Sequence, residues 1–175
     1  SDDAARRVMA LGEDDSAIHV IGSPELDFHA RPSGVTIQDV LARYEIPFED
    51  FGICVFHPVT SEADTMGAQA HAFFGSLRAF KRPFVVIAPN NDPGSRDIFA
   101  EIEALDPAQF RVLPSMRFAH FSELMKHAAC MVGNSSAGVR EAPFIGVPSL
   151  DIGTRQNNRG KAASIHFADA DDAAK

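Results

Sequence analysis

The chain has 175 residues, and its 16 Lys and Arg against 24 Asp and Glu give a formal net charge of −8. With 45% hydrophobic and 23% charged residues, the composition is that of one globular domain, too short for two full-sized ones. The acidity argues against a binder of nucleic-acid polymer, which needs clustered Lys and Arg. The longest apolar runs, such as residues 84–88, are strand-length and far below the roughly 20 residues of a membrane span.

In chain order, Ser1 is followed by acidic Asp2 and Asp3, so no signal peptide is expected. A cytoplasmic setting fits Cys54 and Cys130 as free thiols inside apolar runs. Residues 4–11 predict a short helix closed by Gly12, and residues 18–22 predict a strand. Thr36 predicts the cap of a helix reaching Arg43, with Asp39 at the third helical position as a relative of the capping box. A strand is expected at 52–57. A long helix at 65–79 follows from the spacing of Met66, Ala70, Phe73, Phe74, Leu77 and Phe80. Further strands at 83–88, 110–113, 130–133 and 149–152 alternate with helices at 95–105 and 122–129 and another after Ser136. Residues 169–172 read as a loop or frayed end. There is no internal repeat and no low-complexity linker, so residues 1–175 are expected to form a single domain. Apolar strands alternating with helices imply an α/β fold with a parallel sheet covered on both faces. Right-handed crossovers then gather the strand C-termini along one edge.

That edge is where such sheets bind ligands, and its loops hold the polar residues. They are Ser23-Pro24-Glu25-Leu26-Asp27, His57-Pro58-Val59-Thr60, Pro89-Asn90-Asn91-Asp92-Pro93-Gly94-Ser95, Gly133-Asn134-Ser135-Ser136-Ala137-Gly138 and Gly153-Thr154-Arg155-Gln156. The Gly133 segment reads as strand, glycine turn and helix start. Free N–H groups and the helix dipole favour an anion there, and Ser135 and Ser136 add hydroxyls. A plain N-cap at either serine is the competing use. One helix terminus contributes only about 0.3–2 kcal/mol toward an anion, so a diphosphate needs further donors, and Arg155 is one. The first fifty residues carry 11 acids and 4 bases, whereas Arg155, Arg159 and Lys161 stand against Asp151 alone. Several motifs are missing: G-x-G-x-x-G, the P-loop, G-x-S-x-G, H-E-x-x-H and zinc-ligand spacings. No metal and no cofactor are expected.

Taken together, Ile21-Gly22-Ser23-Pro24-Glu25-Leu26-Asp27, Phe56-His57-Pro58-Val59-Thr60, the Pro89–Ser95 loop, Gly133 through Glu141 and Gly153-Thr154-Arg155-Gln156 resemble the C-terminal half of the UDP-N-acetylglucosamine 2-epimerase family. The resemblance implies a Rossmann-like domain from a GT-B two-domain fold, with residues 1–12 as the passage from an N-terminal domain. Asn134-Ser135-Ser136-Ala137 and Thr154-Arg155-Gln156 are most similar to the hydrolysing branch, which releases UDP and N-acetylmannosamine for sialic-acid-type synthesis. By that resemblance, Ser135, Ser136 and Arg155 would hold the UDP diphosphate and Glu141 would accept from the ribose hydroxyls. A loop at 117–121 would receive the uracil against Phe118 or Phe121. His57 would be the catalytic or charge-stabilising group facing the sugar, with Asn90 and Asp92 beside it. A strand-end histidine that merely caps the turn before Pro58 is the plainer reading of His57.

The implied partners are UDP, UDP-N-acetylglucosamine and the N-terminal domain that carries the family's catalytic carboxylates. The chain alone is therefore expected to be inactive. A homo-oligomer is compatible with the sequence. Half of a GT-B glycosyltransferase and a non-catalytic nucleotide-sugar sensor are the alternative functions.

Overall fold

In the computed structural model, which describes residues 1–170, six short strands form one parallel sheet. They are β1 (Gly52–Val55), β2 (Phe84–Ile87), β3 (Phe110–Leu113), β4 (Cys130–Gly133), β5 (Ser149–Ile152) and β6 (Ile165–Ala168), in the order β3-β2-β1-β4-β5-β6. All neighbours pair in parallel. β1 is central and buried along its whole length, which is why its sequence is continuously apolar rather than alternating.

The chain divides into two compact units, the first spanning Ser1–Arg31 and the second beginning at Pro32. The first holds helix α1 (Asp2–Ala10), a 3-10 turn at Asp15–Ala17 and helix α2 (Pro24–His29). Ser1 caps α1, and Asp2 and Asp3 occupy its first turn, where the helix dipole favours acids. The strand expected at 18–22 does not form. Residues 23–27, expected as a strand-end loop, instead open α2, with Pro24 at its first position. Val20 and Ile21 are exposed; an apolar run without a partner strand stays irregular.

In the second unit, helices cover both faces of the sheet. Helix α4 (Met66–Phe80) and α5 (Ser95–Glu103) pack on one face with Cys54, Phe84, Val86 and Val132. Met66, Ala70, Phe73, Phe74 and Leu77 form the buried stripe of α4. Phe56 stacks on Phe73 at 4.5 Å between ring centroids, and Phe74 meets Phe73 edge-on at 5.0 Å. Helix α3 (Ile37–Arg43), α6 (Phe118–Lys126) and α7 (Ser136–Ile145) cover the other face over Ile53, Val55, Val85 and Met131. At the start of α3, the capping box forms as expected: Thr36 accepts from the Asp39 N–H, and Asp39 accepts from the Thr36 N–H. Both thiols are free, Cys54 buried and Cys130 half-buried.

Other elements depart from expectation. The segment at 60–65 is a separate 3-10 helix before α4. β6 was not anticipated, because two of its four residues, His166 and Phe167, are exposed. Helix α6 begins at Phe118, four residues before the expected start, so 117–121 is a helix entry rather than a loop. No side chain of its cap residue Arg117 caps it; the Tyr44 hydroxyl, distant in sequence, accepts from the Arg117 N–H at 3.2 Å. The expectation for residues 169–172 lies outside the described residues beyond Ala170. No helix among the described residues is long and apolar enough to cross a membrane.

Candidate functional site

The strand order reverses between β1 and β4, and the crevice beyond their C-terminal ends is the expected ligand position in a sheet of this kind. Gly133 makes that crevice close-fitting. Its φ is +129°, and a Cβ there would lie 2.1 Å from the Val55 carbonyl oxygen, so only glycine lets the end of β4 approach β1. The next residue, Asn134, is 1% exposed and joins three segments. Its N–H donates to Val55 O at 3.0 Å. Its side chain accepts from the His57 N–H at 2.7 Å and donates to His57 O at 2.8 Å. Its own carbonyl accepts from Arg155 Nη1 at 3.1 Å and from the fully buried Gln156 Nε2 at 2.9 Å.

His57 is thereby held by its backbone while its ring looks out. Nδ1 accepts from the Asn90 N–H at 3.2 Å, so the neutral ring carries its proton on Nε2. Burial, reinforced by the nearby Arg155 charge and opposed by Asp92, pushes its pKa down to about 4. His57 is therefore an uncharged donor at neutral pH. Asn90 donates its side-chain amide to Asp92. Ser135 is the N-cap of α7 and accepts from the Ala137 N–H at 3.3 Å, and Ser136 is the first residue of that helix. The capping use of Ser135 is thus real, and it leaves the hydroxyl hydrogen available to a ligand.

A cavity of about 430 Å³ opens over these strand ends, within the size range of small-ligand sites. His57, Asn90, Ser135, Phe118 and Phe121 all line it. The two phenylalanines are three residues apart on α6 and so share one face of that helix. Four expected residues lie outside the lining. Ser136 adjoins Ser135, Asp92 is bonded to Asn90, and Arg155 sits behind Asn134. Glu141 is half-buried in the second turn of α7. A larger cavity of about 570 Å³ lies over the other face of β4–β6, lined by Phe73, Phe80, Val132 and Ile152 among others. It lacks the converging polar groups of a specific polar-ligand site.

Sequence reasoning missed three participants. Asn134 was visible only as a motif residue. Glu62, in the 3-10 helix after His57, accepts from Thr154 Oγ1 and from Gln69 Nε2, and both bonds hold its carboxyl below the usual range. It thus ties the loop after β1 to the loop carrying Arg155. Asp151, on β5, is 3% exposed and neither carboxylate oxygen has a hydrogen-bond partner. Burial raises its pKa to about 6 against the lowering effect of Arg155. An acid inside a predicted strand was the available signal. Among the described residues, no group of three or more His, Cys, Asp or Glu is placed to hold a metal ion.

A family model described as UDP-N-acetylglucosamine 2-epimerase matches residues 1–174. A curated UDP-N-acetylglucosamine 2-epimerase of Neisseria meningitidis serogroup B is 44% identical over 169 residues, covering 97% of this chain and 45% of that protein. A UDP-N,N'-diacetylbacillosamine 2-epimerase (hydrolyzing) of Legionella pneumophila is 26% identical over 162 residues, covering 91% of this chain and 43% of that protein. The solved UDP-GlcNAc 2-epimerase of Methanocaldococcus jannaschii, in complex with UDP-GlcNAc and UDP, matches with a TM-score of 0.72 at 12% identity, over 98% of this chain and 49% of that one. That likeness shows the fold, a Rossmann-like half of a GT-B-like architecture. The chain spans about half the length of the curated relatives it matches.

Proposed function

This chain belongs to the UDP-N-acetylglucosamine 2-epimerase family, and we propose that it is the nucleotide-binding half of a hydrolysing epimerase that releases UDP and N-acetylmannosamine in the cytoplasm for sialic-acid-type synthesis. The observation that carries the reading is the single cavity joining His57, Ser135, Phe118 and Phe121, with Arg155 anchored behind it on the Asn134 carbonyl. The hydrolysing assignment is supported by the Asn134-Ser135-Ser136-Ala137 stretch and by the Legionella relative.

In this reading the diphosphate lies at the start of α7, where the helix dipole and the Ser135 and Ser136 hydroxyls meet it, with Arg155 as the charged donor. Phe118 and Phe121 pack on the uracil, and Glu141 accepts from the ribose hydroxyls. The sugar lies toward His57, Asn90 and Asp92. The reaction needs loss of UDP from C1, removal of the C2 proton and addition of water. His57, neutral with its proton on Nε2, donates to the oxygen that gains charge as the bond to C1 breaks. Calorimetric titration of the protein with UDP tests the reading: a saturable heat whose midpoint moves to higher UDP in Arg155→Ala supports it. Absence of binding at millimolar UDP would sink it. In the longer protein, formation of free N-acetylmannosamine without an acceptor sugar separates this function from glycosyl transfer.

A further inference from the structure

A buried carboxylate without a partner is costly unless something near it offsets the charge, and Asp151, buried in the strand beside β4, is such a group. It pairs across the ladder with Gly133, one residue before the Asn134 carbonyl that Arg155 holds. Side chains alternate along a strand, so Asp151 shares a sheet face with Ser149, whose Oγ donates to Gly138 O of α7 at 2.6 Å. Asp151 is two residues nearer the strand's C-terminal end, level with the first turn of α7. Charged groups on the elements around it are Arg140 and Glu141 of α7, His166 of β6, and Arg155, Arg159 and Lys161 of the loop after β5. Among these, Arg155 is the one whose charge acts on Asp151, and Arg155 in turn faces two carboxylates, Asp92 and then Asp151, against the like charge of Arg159. The two form no salt bridge, because the guanidinium is bonded to the Asn134 carbonyl.

We propose that Asp151 is a switching counter-charge for Arg155: with Asp92 it supplies the negative charge that Arg155 faces while the site is empty, and of the two it is the buried one that takes a proton from solvent when a nucleoside-diphosphate sugar arrives. The argument is charge balance. An anionic ligand at Arg155 offsets the one cation acting on Asp151 and brings a second negative charge near a desolvated carboxylate, so the ionised form loses its support. Its upward-shifted pKa of about 6 places the protonation within reach of neutral pH. Asp151 thus positions and tunes Arg155 without touching the ligand. The inference rests on the nucleotide-sugar reading above.

The test uses UDP-N-acetylglucosamine, whose diphosphate diester keeps a fixed charge from about pH 5 to 8. Titration near pH 6.5 in two buffers of different ionisation enthalpy should show uptake of roughly half a proton by the wild-type protein and none by Asp151→Asn. The same variant should bind on the order of tenfold tighter near pH 8 and equally well near pH 5. Absence of proton uptake by the wild type, or weaker binding by Asp151→Asn at every pH, overturns the proposal in favour of a purely structural carboxylate. A ligand-free measurement stands apart from the nucleotide reading: the carboxyl ¹³C resonance of Asp151 should titrate at higher pH in Arg155→Gln, and an unchanged midpoint overturns the pairing. If that midpoint moves but no UDP-N-acetylglucosamine binds at millimolar concentration, the nucleotide reading falls and takes the ligand-driven step with it.

Discussion

His57 and Asp151 sit on either side of Arg155 electrostatically, and burial pushes both toward their neutral forms. For His57 the folded pKa of about 4 lies below the ordinary histidine value near 6.5, so the unfolded chain binds more protons between those values. Its contribution to stability is complete above about pH 6.5 and is lost as pH falls through 4. For Asp151 the shift is upward, from 3.8 to about 6. The folded state binds more protons in that window, and the resulting penalty is complete above pH 6. Asp151→Asn is therefore expected to raise stability by up to about 3 kcal/mol at pH 7.5 and to leave it nearly unchanged below pH 4, as read by urea denaturation at the two pH values. A variant less stable at pH 7.5 would contradict the burial argument. The ligand side follows the same division of labour. Arg155→Ala removes a charged donor and should weaken UDP binding about 10- to 100-fold. His57→Ala should lower turnover of the longer protein more than its UDP affinity; the reverse order would exchange the two roles.

At the scale of elements, the joint between β1 and β4 decides whether a site exists at all. Asn134→Ala leaves the His57 N–H and C=O without their side-chain partners and should cost about 2–4 kcal/mol, measurable by chemical denaturation, with loss of UDP binding. Gly133→Ala must place a methyl group on the Val55 carbonyl and should cost about 3 kcal/mol or more. Retention of wild-type stability in either variant would refute this account of the joint. The strands β1 to β5 and the helix α4 were legible in the sequence, since apolar runs and a 3.6-residue stripe are local signals. The run at 18–22 gave the same signal but has no neighbouring strand, and pairing is not a local property. β6 shows the converse: it pairs with β5 along four residues while two of its side chains remain exposed. His57 and Ser135 were visible because strand-end loops collect polar residues. The bond between Asn134 and His57 spans 77 positions and has no signature in its own segment, whereas Asp151 is marked locally only as an acid inside a strand and matters through its surroundings. The start of α6 was hidden for the same reason, its Tyr44 cap lying 73 residues away.

At the scale of the whole molecule, the groups gathered at the strand ends of the parallel sheet suit binding more completely than chemistry. Removal of the C2 proton requires a base with a free lone pair within about 3 Å of it. Among the described residues no carboxylate lines the 430 Å³ cavity, and the imidazole there is neutral, with Nδ1 accepting from Asn90 and the proton on Nε2. Asp92 is bonded to Asn90, and Asp151 is buried in β5. The 175-residue chain is therefore expected to bind UDP-N-acetylglucosamine and leave it intact, while the longer protein, about twice this length in the relatives, converts it. Incubating the purified chain with UDP-N-acetylglucosamine and following UDP release decides the matter. Release above the buffer blank, abolished by His57→Ala, would mean that His57 can act as the base after all and that the hydrogen bond from Asn90 breaks during the reaction.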